Sequence, residues 1–403
     1  MTASTDRIPA SLVLVLGGLS AIPPLATDMY LPALPVIAAD LGSDEGSIQF
    51  SLMAFFAGLM LGQLFYGPFA DRYGRKPLLF VGLTIFVLSS LGAVLVGNVR
   101  DLNILRFVQG LGGSVGMVMA VAIVRDLYTG LKASRLLSLV VMVLGVTPII
   151  APLLGSTIIA AGSWRIVFVV QTLLGVILML GVWRKLPETR PVELRKATSP
   201  AQTLRNYARL LVNTRFMPFV LVVSIAQAGF FAYLSASAPV FIATFGLSPF
   251  AFSVAFALNA LGMMASARMS AFVHRRVRAD HIVRGALVVY LLAALALITM
   301  TVTGAASLIP FAATLFVIIA TLGFIMPLST LLAMESVGEI AGTAAALMGA
   351  FQFGTGALSS AAMGAFSDGS ALPMAACIMA CALVATMLSM VAFPKRASDK
   401  AAP

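Results

Sequence analysis

The chain has 403 residues, 60% of them hydrophobic and only 10% charged, with a mean hydropathy of +1.02. A soluble domain runs at roughly 45–50% apolar and about 25% charged, so this composition calls for lipid as the solvent and excludes most soluble enzymes, receptors and regulators. The formal charge of +11, from 26 Lys and Arg against 15 Asp and Glu, would suggest a nucleic-acid partner in a soluble protein. In a membrane protein it predicts basic loops gathered on one side.

Apolar runs of about 20 residues, the length that crosses the hydrocarbon core, recur about twelve times without the alternation that barrel strands require. They predict an all-α integral membrane protein with 12 transmembrane helices. The first run, Ala10–Leu34, passes through Asp28 and two prolines with no clean cleavage site, so it reads as a retained span rather than a leader. Gln49–Phe69, Leu78–Val96, Leu102–Val124, Leu136–Ala160 and Trp164–Trp183 follow. After a polar, Arg-rich stretch carrying Pro187, Pro191 and Pro200 come Met217–Ser237, Phe250–Phe272, Ile282–Val302, Leu308–Met334, Thr343–Phe366 and Pro373–Phe393. This layout predicts an N-terminal six-helix bundle (residues 1–183), a linker loop (184–216) and a C-terminal six-helix bundle (217–403), pseudo-symmetric about a central cavity.

Alternate loops hold 23 of the 26 basic residues; the opposite loops hold Arg100 and Arg165, and Arg106 lies inside a span. The asymmetry predicts a cytoplasmic linker and cytoplasmic termini. It accounts for the net charge without nucleic acid.

Among the acidic residues, Asp28 alone is embedded well within an apolar run. A charge at mid-bilayer costs about 2.5–3.5 kcal/mol on insertion scales, so this carboxyl is expected to face protein or a water-filled cavity. Desolvation favours its neutral form and a nearby cation would favour the ionised one, a balance suited to loading and releasing a proton. Pro32 has no amide proton for the Asp28 carbonyl four residues back, which predicts a broken helix at that point. The plainer alternative is that Asp28 marks the end of the span near the interface. Arg106 is the matching cation, with Gln109 and Gly110 on its face. It either turns inward, to hold Asp28 or a substrate acceptor, or snorkels to the surface.

The stretch Gly67-Pro-Phe-Ala-Asp71-Arg72-Tyr-Gly74-Arg75-Lys76-Pro77 joins the second and third spans through a tight turn. Gly74 suits the turn and Pro77 the first turn of the next helix. Asp71 among Arg72, Arg75 and Lys76 can form a charge network that latches one conformation. Gly58 and Gly62 make a small face for close helix packing.

Gly67-x-Phe-Ala-Asp71-Arg72-x-Gly74-Arg75-Lys76 resembles the loop signature of the major facilitator superfamily. Leu105-Arg106-x-x-Gln109-Gly110 resembles its fourth-helix motif, and Arg125-Asp126 the charged end of that helix. Gly145-x-x-Pro148-Ile-Ile-Ala151-Pro152-Leu-Leu-Gly155-Ser156 is similar to the fifth-helix motif of its drug–proton antiporters. Ala151 and Ser156 stand where that motif has glycine, which predicts looser packing. Leu25-Ala-Thr-Asp28-Met-Tyr30-Leu-Pro32 resembles the Bcr/CflA group of bacterial multidrug and antibiotic exporters. The resemblance implies alternating access between two six-helix bundles in the bacterial inner membrane, driven by protons. It implies proton or substrate handling by Asp28 and Arg106, with Gln109 and Tyr30 beside them. It also implies a latch in which Asp71 is linked to Arg75, to Asp126 and to the start of the eleventh span near Gly342-Thr343.

Gln227, Phe230 and Asn259 are candidates for a substrate cavity, because buried amides need partners and aromatic rings suit a hydrophobic ligand. Cys377 and Cys381, four apart in one apolar run, read as core residues, and His274 and His281 sit in a basic loop. Neither a metal site nor a cofactor is expected. The sequence lacks paired intramembrane carboxylates and any serine nucleophile with a base, which argues against a membrane enzyme. The expectation is a monomeric exporter of amphipathic drugs of the chloramphenicol or bicyclomycin type, with protons, the small-molecule substrate and the bilayer as partners. The alternative is a transporter of a small metabolite, such as an amino acid or sugar derivative, by export or proton symport.

Overall fold

A computed structural model describes residues 8–191 and 200–392, together with Glu193 and Arg195. Every regular element among them is helical. In chain order they are α1 (Ala10–Asp28), a 3-10 turn (Leu31–Ala33), α2 (Leu34–Asp40), α3 (Glu45–Tyr73), α4 (Arg75–Val94), α5 (Val99–Leu127), α6 (Gly130–Ala160) and α7 (Arg165–Lys185). Then come α8 (Pro200–Leu211), α9 (Met217–Pro239) running into a π turn (Val240–Thr244), α10 (Pro249–His274), α11 (Ala279–Val302), α12 (Leu308–Met334), a second 3-10 turn (Gly338–Ile340), α13 (Ala341–Ala365) and α14 (Leu372–Ala392).

Eleven spans among the described residues, with α1 and α2 counted as one, are long and apolar enough to cross a membrane. The twelfth long helix, α13, has 25 residues, but Gln352, Thr355, Ser359, Ser360 and several glycines dilute its hydropathy. It packs between other helices, where apolar surface is not needed. Most helices run past the apolar stretches that announce them, because capping residues sit beyond the hydrocarbon. Asp44 caps α3 by accepting from the Ser47 amide at 2.7 Å, Asn98 caps α5 through the Asp101 amide at 2.9 Å, and Ser248 caps α10 through the Ala251 amide at 3.2 Å.

Small residues set the helix contacts. Gly58 on α3 lies against the Phe107 carbonyl of α5, and Gly110 on α5 against the Phe55 carbonyl of α3, so neither position has room for a Cβ. Gly155 brings α6 equally close to the Met29 carbonyl. The looser packing expected from Ala151 and Ser156 is not found. Ala151 is fully buried with Met29 and Val167, and Ser156 is buried too; the added Cβ atoms fill the space. Both prolines of the motif lie inside one continuous helix, α6.

The two halves meet along α3/α13 and α6/α10. For convenience, the end carrying residues 73–75 and 127–130 is the basic end, and the other the far end. At the far end Gly46 meets Gly364, and the Ser253 hydroxyl donates to the Pro152 carbonyl at 2.9 Å. Nearer the basic end Gln63 lies against Gly349, and Met264 against Gly145. Between these contacts Phe56 of α3 packs edge-on against Phe231 of α9, with ring centroids 4.6 Å apart. The middle of the interface, where the sequence predicts a cavity, is therefore bridged by aromatic side chains in this conformation.

Candidate functional site

The site begins with the break in the first span. α1 ends at Asp28, and the Tyr30 amide bonds the Thr27 carbonyl at 3.0 Å in a 3-10 step. A continuing α-helix would have sent that amide to the Ala26 carbonyl. Pro32, in the first turn of the 3-10 segment, fixes the change of course.

The Ala26 carbonyl is taken by side chains from two other helices. Arg106 Nη1 of α5 donates to it at 3.1 Å, and Gln171 Nε2 of α7 at 3.4 Å. Arg106 Nη1 also donates to Gln109 Oε1 at 2.6 Å, and Gln109 Nε2 donates to Ser90 Oγ and to Gln171 Oε1, both at 2.7 Å. The Arg106 guanidinium lies over the rings of Tyr30 and Phe55, 4.5 and 4.2 Å from their centroids. Ser51 gives its hydroxyl proton to the Ile48 carbonyl at 2.6 Å, so it accepts from the Tyr30 hydroxyl at 2.8 Å. Arg106 is thus held with 0% exposure by backbone, amide and ring faces, with no carboxylate among its partners, while its Nε and Nη2 have none. It turns inward and does not snorkel.

Asp28 is also buried, at 4% exposure, and among the described residues it makes no hydrogen bond or ion pair. The pairing of Asp28 with Arg106 that the sequence allows is not formed. Tyr30 covers the guanidinium, and residues two apart in a helical turn point to nearly opposite sides. The Asp28 carboxyl lies within electrostatic reach of Tyr233 on α9, in the other half. The Tyr233 hydroxyl accepts from Asn259 Nδ2 of α10 at 2.9 Å, and its ring stacks with Phe256 at 5.7 Å and Phe230 at 6.2 Å. Gln227, buried on α9, leaves its Oε1 without a partner. Of the three residues named for the second half, Phe230 and Asn259 thus converge on Tyr233, and Gln227 keeps a free acceptor.

At the basic end Gly74 has φ +99°, a conformation that favours glycine, and begins α4 directly after α3. Arg75 reaches Asp71 at 2.9 Å and Asp126 of α5 at 3.0 Å. Among the described residues, no link from Asp71 to the start of the eleventh span is formed. α13 begins at Ala341 without a side-chain cap, and the Asp71 carboxylate is occupied by Arg75, one turn away on the same side. Gly67 and Arg72 stand outside the network: a side chain at 67 would meet open space, and Arg72 lies over the Tyr73 ring at 5.3 Å.

Sequence reasoning missed Glu188, just after α7. Its carboxylate accepts from the amides of Arg75 at 3.0 Å and Lys76 at 3.2 Å, capping α4, and from the Arg190 amide at 2.9 Å. Thr189 beside it donates to Asp126 at 3.1 Å. The linker therefore joins the charge network around Arg75 and Asp126. Ser90 and Gln171 were missed as well, although Gln171 carries the same signal as Gln227, an amide within an apolar run.

The sequence profile of the Major Facilitator Superfamily matches residues 16–361. The chain belongs to that superfamily. It is 33% identical over 389 residues to an uncharacterized MFS-type transporter, YdgK, of Bacillus subtilis, covering 95% of each chain. It is 29% identical to a bicyclomycin resistance protein homolog of Haemophilus influenzae, covering 93% of this chain and 94% of that one. With multidrug resistance protein D of Escherichia coli it shares 32% identity over 87% of its length and 88% of the relative's. The crystal structure of a D-xylose–proton symporter superposes with a TM-score of 0.71 over 93% of this chain and 96% of that one, at 17% identity. The fold is that of major facilitator transporters, and the protein is a multi-pass membrane transporter.

Proposed function

We propose that this transporter exports amphipathic, drug-like molecules in exchange for protons across a bacterial inner membrane, as a monomer with its basic end in the cytoplasm. The observation that carries the reading is the Asp28 carboxyl: buried, unpartnered, at a helix break and within electrostatic reach of Tyr233 in the other half. Arg106 is balanced by the Ala26 carbonyl and two ring faces, so it places no claim on Asp28. The carboxyl is then available to a proton or to the polar group of a substrate, one at a time.

In this reading, an amphipathic molecule lies against Tyr233, Phe230 and Phe256 with its polar or cationic group toward Asp28 and Gln227. Protonation of Asp28 weakens that hold and favours return of the empty site to the cytoplasmic side. Inward movement of one proton supplies about 2.3 kcal/mol per 100 mV, enough to sustain an outward gradient of a neutral solute. Resistance names among the relatives support drugs as the substrate class.

Purified protein in proteoliposomes with an internal pH dye tests the reading, with chloramphenicol-type and cationic drugs added in turn. With the wild type, drug entering from outside should drive protons out of the lumen, so the dye should report alkalinisation on drug addition, and Asp28→Asn should abolish that flux. Uphill drug export by Asp28→Asn with unchanged pH dependence would remove Asp28 as the coupling site.

A further inference from the structure

α8 lies in the linker at the basic end and is, at 12 residues, too short and too polar to span. Tyr207 donates its hydroxyl to the Leu64 carbonyl of α3 at 2.9 Å. Burial pushes this phenol up to about 12, so it remains a donor at physiological pH. Leu210 is fully buried with Phe216, Val220 and Val223 of α9, Ala333 of α12 and Ala344 of α13. α8 is thus pinned to both halves by one side.

The remaining surface of α8 divides in two. Leu204, Ala208 and Leu211, at i, i+4 and i+7, form one exposed stripe next to the buried one. Leu204 is 71% exposed, Leu211 48%, and Val212, which continues the helical bonding, 79%. Beyond this stripe come Arg205 and Arg209, both exposed, and Arg215 follows shortly after. Among the described residues, no carboxylate pairs with Arg205, Arg209 or Arg215. Around its circumference α8 therefore presents first protein-facing, then unpartnered apolar, then unpaired cationic side chains. Water suits only the last of these.

A helix lying in the plane of the bilayer interface has this order of faces. Trp183 at the end of α7 is 61% exposed and is followed by Arg184 and Lys185, which marks the headgroup level at the same end of the molecule. We propose that α8 is an anionic-phospholipid binding site, with Leu204 and Leu211 in the acyl boundary and Arg205 and Arg209 on headgroup phosphates. Uncovered carbon beside unpaired guanidinium calls for a ligand with an apolar body and an anionic head. Phospholipid supplies both from one direction. Because α8 is bonded to α3 and buried against α9, α12 and α13, the lipid is held where the two halves meet.

The test uses the full chain carrying Leu204→Trp, reconstituted in phosphatidylcholine vesicles that contain either dibromo-phosphatidylglycerol or dibromo-phosphatidylcholine at the same low mole fraction. The emission of the unsubstituted chain, from Trp164 and Trp183, is subtracted. Each arginine near an anionic surface is worth about a fivefold change in partitioning. Quenching of the introduced indole is therefore expected to be at least about twofold stronger with the anionic lipid, and Arg205→Gln with Arg209→Gln should bring it down to the phosphatidylcholine level. Equal quenching by the two lipids, or no quenching by either, would overturn the proposal. A preference for the anionic lipid that survives both substitutions would overturn the assignment to these arginines. The readout involves no transport, so it stands or falls separately from the export reading.

Discussion

If Arg106 and Asp28 are independent, a double-mutant cycle between them should give almost no coupling. Arg106→Met removes two charge-assisted hydrogen bonds, to the Ala26 carbonyl and to Gln109, each worth about 1.5–3 kcal/mol. It also removes contacts with the faces of Tyr30 and Phe55, each worth about 0.5–2 kcal/mol. Against this, two buried donors without partners, Nε and Nη2, are eliminated, which recovers about 1–3 kcal/mol apiece. The net expectation is a loss of about 2–4 kcal/mol. Asp28→Asn removes no bond and should lie within about 0.5 kcal/mol of wild type, or be stabilising. Equilibrium unfolding in mixed micelles, followed by tryptophan emission, measures both single variants and the double. Non-touching sites add to within about 0.3–0.5 kcal/mol, whereas breaking one partner of a buried ion pair costs about 3–5 kcal/mol. A coupling energy of about 2 kcal/mol or more would refute the separation of the two charges, and with it the reading of Asp28 as an uncommitted carboxyl.

Gly58→Leu should abolish a folded product, since a side chain there enters the Phe107 carbonyl; a monodisperse peak with wild-type melting would contradict the α3/α5 contact. Glu188→Ala uncaps α4 and should destabilise by about 1–2 kcal/mol, while making Arg75 and Lys76 more accessible to trypsin in right-side and inverted vesicles combined. Unchanged cleavage would contradict the Glu188 cap on α4. Asp44→Ala should cost about 1 kcal/mol at neutral pH by uncapping α3. The Ser47 hydroxyl, and then its amide, hold Asp44 below the usual carboxylate range. A depressed carboxyl contributes above its unfolded value and loses that contribution as pH falls through its folded one. The difference between wild type and Asp44→Ala should therefore shrink toward acid; a difference that grows there would contradict the cap.

The membrane class and the long helices were legible because lipid imposes a minimum length and an apolar surface on a span. Asp28, Arg106 and the 67–76 turn were legible because a charge inside an apolar run, or a glycine at a turn, has few uses. Less legible were contacts between side chains distant in sequence. Nothing local indicates that Gln171 would reach Gln109 and the Ala26 carbonyl, or that Glu188 would find the amides of Arg75 and Lys76. α13 was legible as a span, Thr343–Phe366, but the use of its Gly, Ser and Thr residues in contact with α3 and α9 was not. Thr355 and Ser359, for example, donate to the Ser224 and Ala228 carbonyls of α9 at 2.9 and 2.7 Å.

The same backbone irregularity accounts for both intramembrane charges. Breaking α1 at Asp28 frees the Ala26 carbonyl, and that acceptor helps to hold Arg106 in place of an acid. It also turns Tyr30 over the guanidinium, leaving Asp28 without a claim from Arg106. Had the helix continued, the Tyr30 amide would have claimed the Ala26 carbonyl, and Arg106 would have needed another partner. The nearest acid in the sequence of the first span is Asp28, and a locked ion pair would take it out of service as an exchangeable carboxyl. The prolines and the 3-10 turn thus do more than shape a span. By giving the cation a backbone oxygen, they leave the carboxyl uncommitted, which is the state the proposed proton exchange requires.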